Sequence, residues 1–217
     1  MLERITRREE ADLFVSWIAI SFAFAIIFLR DLGQVAPVTA LIYLGISLLT
    51  VGVGFILHEM AHKFVAIKYG YWAEFRKDNI MLVVAVALAA LVGVVFAAPG
   101  ATVIYSNSAD GRGLSREENG KISASGPIVN LVLCIPFAAI LLLGGHGTST
   151  ASNIVTMIGM IGLQVNAMIA AFNMLPVSVL DGKKVWAWNK PVFFVLIIAA
   201  FAALVLSFYP SSLASLL

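Results

Sequence analysis

The sequence predicts an all-α polytopic membrane protein with five or six transmembrane helices, a short membrane-associated β element and a re-entrant segment. Of the 217 residues, 61% are hydrophobic and only 12% are charged, whereas roughly a quarter of the residues of a soluble domain are charged. Several apolar runs reach the length of about 20 residues that a helix needs to cross a bilayer. Because no polar stretch is long enough to fold alone, we expect residues 1–217 to form a single integral-membrane domain.

The apolar runs set the order of the helices. The first run follows Arg4, Arg7 and Arg8, and Arg30 comes after it in place of the small residues of a cleavage site. We therefore expect an uncleaved first transmembrane helix. The final run is expected to form a C-terminal helix. The predicted segments are 13–29, 38–66, 80–98, 121–144, 153–177 and 191–208.

Two short stretches that flank the third apolar run have the pattern of β-strands. Residues 69–77 alternate aromatic and charged side chains, and residues 99–105 begin with a turn at Pro99 before a β-prone run. We expect these stretches to pair as a small sheet at the membrane surface, because an open edge within hydrocarbon would have to be covered by protein.

The basic residues predict the orientation, because cytoplasmic loops carry an excess of lysine and arginine. With the N-terminal arginines in the cytoplasm, a full crossing by residues 80–98 would place Arg112, Arg116 and Lys121 outside. If residues 80–98 enter the membrane and return, these side chains become cytoplasmic, and we favour this re-entrant path over a sixth crossing. The predicted location is the cell membrane, multi-pass, with a cytoplasmic N-terminus.

The segment from His58 to His62 carries the strongest chemical signal. It reads His-Glu-Met-Ala-His, an H-E-x-x-H motif inside an apolar run. On a helix, positions i and i+4 share one face, so both imidazoles can bind one ion, while Glu59 can take a proton from a water beside it. Ionisable groups at membrane depth are costly and mark functional sites. The motif therefore predicts a metal centre.

A catalytic zinc site has three protein ligands and one open position, so the histidine pair needs a further ligand. Asp181 is the strongest candidate, since it follows the long apolar run 153–177. His146 is expected at the opposite membrane face, and Cys134 lies in the middle of a helix without polar neighbours.

Two sequence features favour Asp181 further. Pro176 interrupts the helix and Gly182 tolerates a sharp turn, which would carry the carboxylate towards the ion. If residues 80–98 are re-entrant, two crossings separate His62 from Asp181 and bring both to the same side. The charge distribution and the ligand set therefore agree on the topology and on an active site towards the cytoplasm.

Three motifs in this order resemble those of the site-2 protease family of intramembrane metalloproteases. They are the H-E-x-x-H helix, the small-x-Gly-Pro-x-x-Asn segment from Ala124 to Asn130, and the Asn-x-x-Pro and Leu-Asp-Gly elements between Asn173 and Gly182. The resemblance implies a catalytic core of about residues 38–185. It also implies one zinc ion per chain.

The resemblance further implies a set of roles for individual residues. His58, His62 and Asp181 would bind the zinc, and Glu59 would be the general base. The expected reaction is hydrolysis of a peptide bond in or near a transmembrane segment of a membrane protein substrate. The expected partners are therefore that substrate and the lipid bilayer, with no nucleic acid.

Asn130 and Asn173 match polar positions of the family near its active centre, and we count both as catalytic candidates, with Asn173 able to bind an oxyanion or the substrate backbone. An interhelical hydrogen bond without a catalytic role is the alternative for each. The chain departs from the family where Val177 to Val179 lack a second proline and where Lys183 replaces a second glycine. Neither departure removes a proposed ligand.

Two other functions stay as alternatives, a zinc transporter and a catalytically inactive membrane scaffold. A transporter would more naturally show repeated halves and further polar ligands along a path, and the sequence has neither. A scaffold has no need of Glu59 together with the three candidate ligands. Intramembrane proteolysis is therefore the preferred prediction.

Overall fold

The protein is an antiparallel helical assembly that carries a small sheet. The computed structural model describes residues 5–30, 32–95, 100–105, 113–144, 149–177 and 179–209. Of the residues discussed above, Arg4, Pro99, Arg112 and His146 lie outside these ranges, as does Ser178. The elements in the described residues are α1 (Arg7–Arg30), α2 (Pro37–Lys68), β1 (Trp72–Lys77), α3 (Asn79–Val92), β2 (Gly100–Tyr105), α4 (Arg116–Gly144), α5 (Thr150–Asn173), α6 (Asp181–Trp188) and α7 (Lys190–Ser207).

Five helices in the described part of the chain are long and apolar enough to cross a membrane. They are α1, α2, α4, α5 and α7, with 18 to 32 residues each and a mean hydropathy between 1.8 and 2.4 over their most apolar windows. This confirms the predicted polytopic membrane fold with five spans. Helix α6, eight residues long, was not predicted; it follows the turn after α5 and leads directly into α7.

The strands β1 and β2 form the predicted two-stranded antiparallel sheet. Trp72 pairs with Tyr105 at one end of the ladder, and Lys77 pairs with Gly100 at the other. Phe75 of β1 is completely buried, and its ring meets that of Phe55 in α2 edge to face at 5.5 Å between centroids. The sheet therefore packs against the side of helix α2.

The segment between the two strands does not connect the two faces of the protein. It begins after Lys77 and ends at Gly100, which are paired neighbours in the sheet. Within it, α3 has 14 residues, so it rises about 21 Å, too short for a hydrocarbon core of about 30 Å. Helix α3 begins at Asp78, which caps it, and ends at Gly93 in the left-handed conformation with φ of 77°. The two ends of the segment therefore lie on the same side of the protein, as the predicted re-entrant path requires and a sixth crossing does not allow.

Helix α3 packs along α1 for most of its length. Its buried residues are Leu82, Ala85 and Ala89, and the two small alanine side chains allow a close approach to the neighbouring helix. A Cβ on Gly93 would lie 2.5 Å from the guanidinium of Arg30 at the far end of α1.

Glycines bring the central helices α4 and α5 close together. A Cβ on Gly162 would collide with the ring of Phe137, and a Cβ on Gly159 would collide with the backbone of Leu141. Small residues at such crossings let helices in a membrane pack through van der Waals contact. The main apolar core lies on the other side of α5, between α1, α2 and the sheet.

The basic side chains gather at one end of the helices. This end comprises the starts of α1, α4 and α7, the ends of α2 and α5, and the sheet with α6. Contacts between these elements tie it together, among them a hydrogen bond from His62 to the carbonyl of Ile122. Among the described residues, Arg30 alone of the lysines and arginines belongs to the opposite end. The charge separation on which the topology prediction rested is therefore a property of the folded chain.

Candidate metal centre

Three candidate ligands predicted from sequence meet in space. His58 and His62 lie one turn apart on α2, and Asp181 is the first residue of α6. The two imidazole Nε2 atoms are 3.0 Å apart, and Asp181 Oδ2 lies 3.4 Å from His58 Nε2 and 3.1 Å from His62 Nε2. All three side chains are buried. Within the described residues, this is the cluster of His, Cys, Asp or Glu side chains that can hold an ion.

These distances fit a zinc ion. A tetrahedron with metal–ligand bonds of about 2.05 Å has edges of roughly 3.3 Å, and the three ligand atoms are separated by 3.0 to 3.4 Å. Two nitrogens and one carboxylate oxygen are a donor set that catalytic zinc uses, with the fourth position left for water or substrate. The residues therefore fit the predicted ion in number, chemistry and spacing.

The turn after α5 places Asp181 beside the two histidines. Helix α5 ends at Asn173, and the chain begins α6 at Asp181 after a short turn. Gly182 plays a different part from the one expected, because it is helical and not at a sharp turn. Its missing side chain matters for space, since a Cβ there would collide with the backbone of Met174 and come 2.8 Å from the carbonyl oxygen of Leu175. The glycine thus lets α6 lie directly against the end of α5.

Asp181 is held in its charged form. Burial alone would raise the pKa of Asp181, but the neighbouring His62 and His58 hold that pKa well below its usual range. The ammonium of Lys184, one turn along α6, lies 3.8 Å from the other carboxylate oxygen, Oδ1. The surroundings of Asp181 therefore favour a carboxylate over a carboxylic acid.

The remaining ring nitrogens of both histidines donate hydrogen bonds to α4. His58 Nδ1 donates to Asn130 Oδ1 at 2.6 Å, and His62 Nδ1 donates to the carbonyl of Ile122 at 2.8 Å. A hydrogen bond of this kind fixes the tautomer of a metal-binding histidine and leaves Nε2 free to coordinate. Helix α4 therefore orients both rings so that their Nε2 atoms face Asp181.

A second asparagine extends this support. Asn130 Nδ2 donates to the carbonyl of Gly54 at 3.1 Å and to Asn166 Oδ1 at 2.9 Å, while Asn166 Nδ2 donates to the carbonyl of Gly162 at 2.8 Å. Both asparagines are completely buried. Asn130 therefore contacts the candidate ligand His58 directly. Asn166 was not predicted from the sequence, although a polar side chain inside an apolar run was the available signal.

The glycine of the predicted Gly-Pro segment lies against the ligands. A Cβ on Gly126 would lie 2.5 Å from His62 Nε2 and 2.6 Å from His58 Nε2. Real Cβ atoms do not approach other atoms so closely, so glycine alone leaves this space in front of the two coordinating nitrogens. The segment from Ala124 to Asn130 thus frames the centre through Gly126 and Asn130.

The proposed base, Glu59, is bound by the sheet. Thr102 of β2 donates a hydrogen bond from Oγ1 to Glu59 Oε2 at 2.8 Å. Glu59 lies on α2 directly after His58 and is nearly buried, at 8% exposure. Nothing in the local sequence around Thr102 signals this contact, because the two residues are 43 positions apart.

A cavity of about 60 Å³ lies beside the ligands and Glu59. Its polar lining includes Asn173 and Lys184, and its apolar lining includes Ile20, Phe55 and Ile169. Asn173 is half-buried, and its Nδ2 donates to the carbonyl of Ile169 in its own helix at 3.0 Å. The structure therefore brings Asn173 to the same cavity as the ligands and the base.

Comparison with known proteins finds a relative of nearly the same length. The chain is 38% identical over 186 residues to a protein of Methanocaldococcus jannaschii named "Putative zinc metalloprotease", and the match covers 86% of this chain and 87% of the relative. No family model matches the chain, and no solved structure does.

Proposed function

This chain belongs to the zinc metalloprotease family of its archaeal relative, and we propose that it is an intramembrane protease of the site-2 type. Its substrate would be a membrane protein, cut at a peptide bond in or near a transmembrane segment. The observation that carries the proposal is the meeting of His58, His62 and Asp181 within 3.4 Å, with Glu59 next to them on the same helix.

The depth of the centre supports cleavage within the membrane. His62 lies six residues before Lys68, the last residue of α2, which is about 9 Å along the helix axis. His58 lies a further turn inside. Both histidines belong to one of the five apolar helices that are long enough to cross a membrane, so the reacting atoms would lie below the level of the charged residues at the interface.

The chain's own residues supply the proton transfers. Zinc held by His58, His62 and Asp181 would provide a Lewis acid that polarises the scissile carbonyl and increases the acidity of the attacking water. Glu59 accepts the proton of that water and then delivers it to the leaving amide nitrogen as the C–N bond breaks. The products are a new carboxylate and a new amine, so the bonds and protons balance.

Asn173 is suited to bind the substrate beside the base. Its amide lies in the wall of the cavity at the end of α5. A rotation of this half-buried side chain away from the Ile169 carbonyl would let Nδ2 donate to a substrate carbonyl or to the developing oxyanion. We assign it this binding role.

Strand β2 is suited to hold the substrate in an extended form. A transmembrane helix hides its peptide bonds in its own hydrogen bonds, so it has to unwind locally before hydrolysis. The side chains of Thr102 and Ile104 line the cavity, and β2 pairs only with β1 within the described residues. An unwound substrate segment can add to the sheet as a further strand.

The orientation follows from the basic residues. The end of the protein that carries the metal centre also carries the arginines at the start of α1 and the lysines and arginines of α4 and α6, which by the positive-inside rule face the cytoplasm. We therefore propose a protein of the cell membrane with a cytoplasmic N-terminus and an active site that opens towards the cytoplasm.

The test uses purified protein with a pool of synthetic 20-residue transmembrane peptides whose central residues are randomised. Mass spectrometry reads the new termini, and elemental analysis reads the zinc. We expect Glu59→Gln to keep zinc and lose cleavage, Asp181→Ala to lose zinc, and the exposed Glu10→Gln to behave as wild type. Cleavage by Glu59→Gln at the wild-type rate would refute the general base. Zinc-loaded wild type that cleaves nothing, together with zinc uptake into vesicles by Glu59→Gln, would replace the protease proposal with transport.

A further inference from the structure

Helix α2 uses two faces for two tasks. The face with His58 and His62 meets α4 and α6, as described above. The residues Phe55, Glu59 and Lys63 are four positions apart and so share another face. Each of these three contacts the sheet or a residue that holds the sheet. The H-E-x-x-H helix is thus joined to the metal support on one side and to β1 and β2 on the other.

The Lys63 contact is a completely buried ion pair. Lys63 Nζ pairs with Glu9 Oε2 of α1, and both side chains have 0% exposure. The other oxygen, Glu9 Oε1, accepts a hydrogen bond from the backbone N–H of Phe75 at 3.0 Å. Burying two charges is expensive unless the geometry is well satisfied. This pair fixes α1 and β1 to α2 one turn beyond Glu59.

The sheet connects this ion pair to Glu59. Phe75 of β1 is the ladder partner of Thr102 of β2, and Thr102 donates to Glu59 Oε2 at 2.8 Å. The contacts therefore run from Lys63 of α2 through Glu9, β1 and β2, and return to α2 at Glu59. Among the described residues, no donor makes a hydrogen bond to the second carboxylate oxygen of Glu59, Oε1.

We propose that Thr102 is a positioning residue for the general base. Its hydroxyl donates a hydrogen bond to Oε2 and so orients the carboxylate towards the cavity. The other oxygen, Oε1, then stays free to accept the proton of the attacking water. Strand β2 is thereby part of the catalytic apparatus, in addition to offering an edge to the substrate. This inference rests on the proposed function, because it assigns a partner to the base of that reaction.

The test compares Thr102→Val, which keeps the shape and removes the hydroxyl, with Thr102→Ser, which keeps the hydroxyl. The control is Thr50→Val on α2, since Thr50 is a buried threonine whose hydroxyl donates to Ile46 of its own helix at 2.9 Å. The probe is the best-cleaved peptide of the randomised transmembrane pool. The measurements are kcat and KM separately, with the zinc content of each variant.

We expect Thr102→Val to lower kcat about ten-fold to a hundred-fold, the range for losing a hydrogen bond to a charged group. KM should stay within two-fold of wild type and zinc should stay stoichiometric, while Thr102→Ser and Thr50→Val keep wild-type kcat. An unchanged kcat in Thr102→Val overturns the proposal, as does an effect on KM alone, which would assign the residue to substrate binding. Wild type that cleaves no peptide of the pool refutes the proposed function instead, so the two failures are distinct.

Discussion

Replacing Gly126 by alanine should remove zinc from the protein without unfolding it. The added Cβ would lie 2.5 Å from His62 Nε2 and 2.6 Å from His58 Nε2. Non-bonded heavy atoms prefer separations of about 3.5 Å, so an imidazole or helix α4 has to move by roughly 1 Å. A metal site needs its ligands within about 0.5 Å of the productive geometry. The displacement therefore exceeds what the site tolerates.

The expected magnitude follows from the position of the methyl group. Loss of an outer support of a metal ligand weakens metal binding by about 10 to 100-fold. The methyl of Gly126→Ala displaces coordinating atoms directly, so we expect zinc affinity to fall by at least about 100-fold, or roughly 2.8 kcal/mol. Alanine favours a helix over glycine by about 1 kcal/mol, which offsets part of the cost of moving an imidazole or helix α4, so the metal-free helix bundle should stay folded.

The assay is competition for zinc against a chelator of known affinity, combined with thermal unfolding of the metal-free protein. Gly45→Ala on α2 is the matched control, because a Cβ at Gly45 meets no atom within 4 Å. It should bind zinc as wild type does. If Gly126→Ala keeps wild-type zinc affinity, the ligand geometry described for this centre is wrong. If the metal-free variant does not fold, Gly126 is needed for the fold itself and not only for the space beside the ligands.

Two further substitutions test the supports of the centre. Asn130→Leu removes the acceptor of the His58 Nδ1–H, and chelator competition should show zinc binding about 10 to 100-fold weaker; full affinity would mean that the ring is oriented without Asn130. Lys63→Met leaves the Glu9 carboxylate buried without its partner, which should cost about 3 kcal/mol or more of stability, seen as a lower unfolding temperature. Adding Glu9→Gln to Lys63→Met should recover much of that loss of stability. If Lys63→Met alone is as stable as wild type, the ion pair does not hold α1 to α2.

The elements that the sequence predicted well depend on short-range patterns. The spans of α1 and α2 follow from uninterrupted apolar runs, and the strands follow from alternation and β-prone residues on either side of α3. The apolar pattern of residues 80–98 did not predict their path, because the segment is long enough for a full crossing. The distribution of basic residues favoured a return, and the pairing of Lys77 with Gly100 shows that both ends of the segment lie on the same side.

The sequence alone determined the chemistry of the centre. Two histidines four residues apart share a helix face whatever surrounds the helix, and Asp181 could be chosen because it follows a long apolar run and two crossings bring it to the side of His62. Such conclusions need only the local geometry of a helix and a count of crossings.

The tertiary structure decided how that chemistry is held. The contacts of Thr102 with Glu59 and of Asn130 with His58 join residues 43 and 72 positions apart, and the space beside Gly126 exists only because α4 crosses α2 at that point. Side chains so distant along the chain meet through the packing of whole helices and the register of the sheet. A pattern that repeats every two to four residues carries no information about that packing.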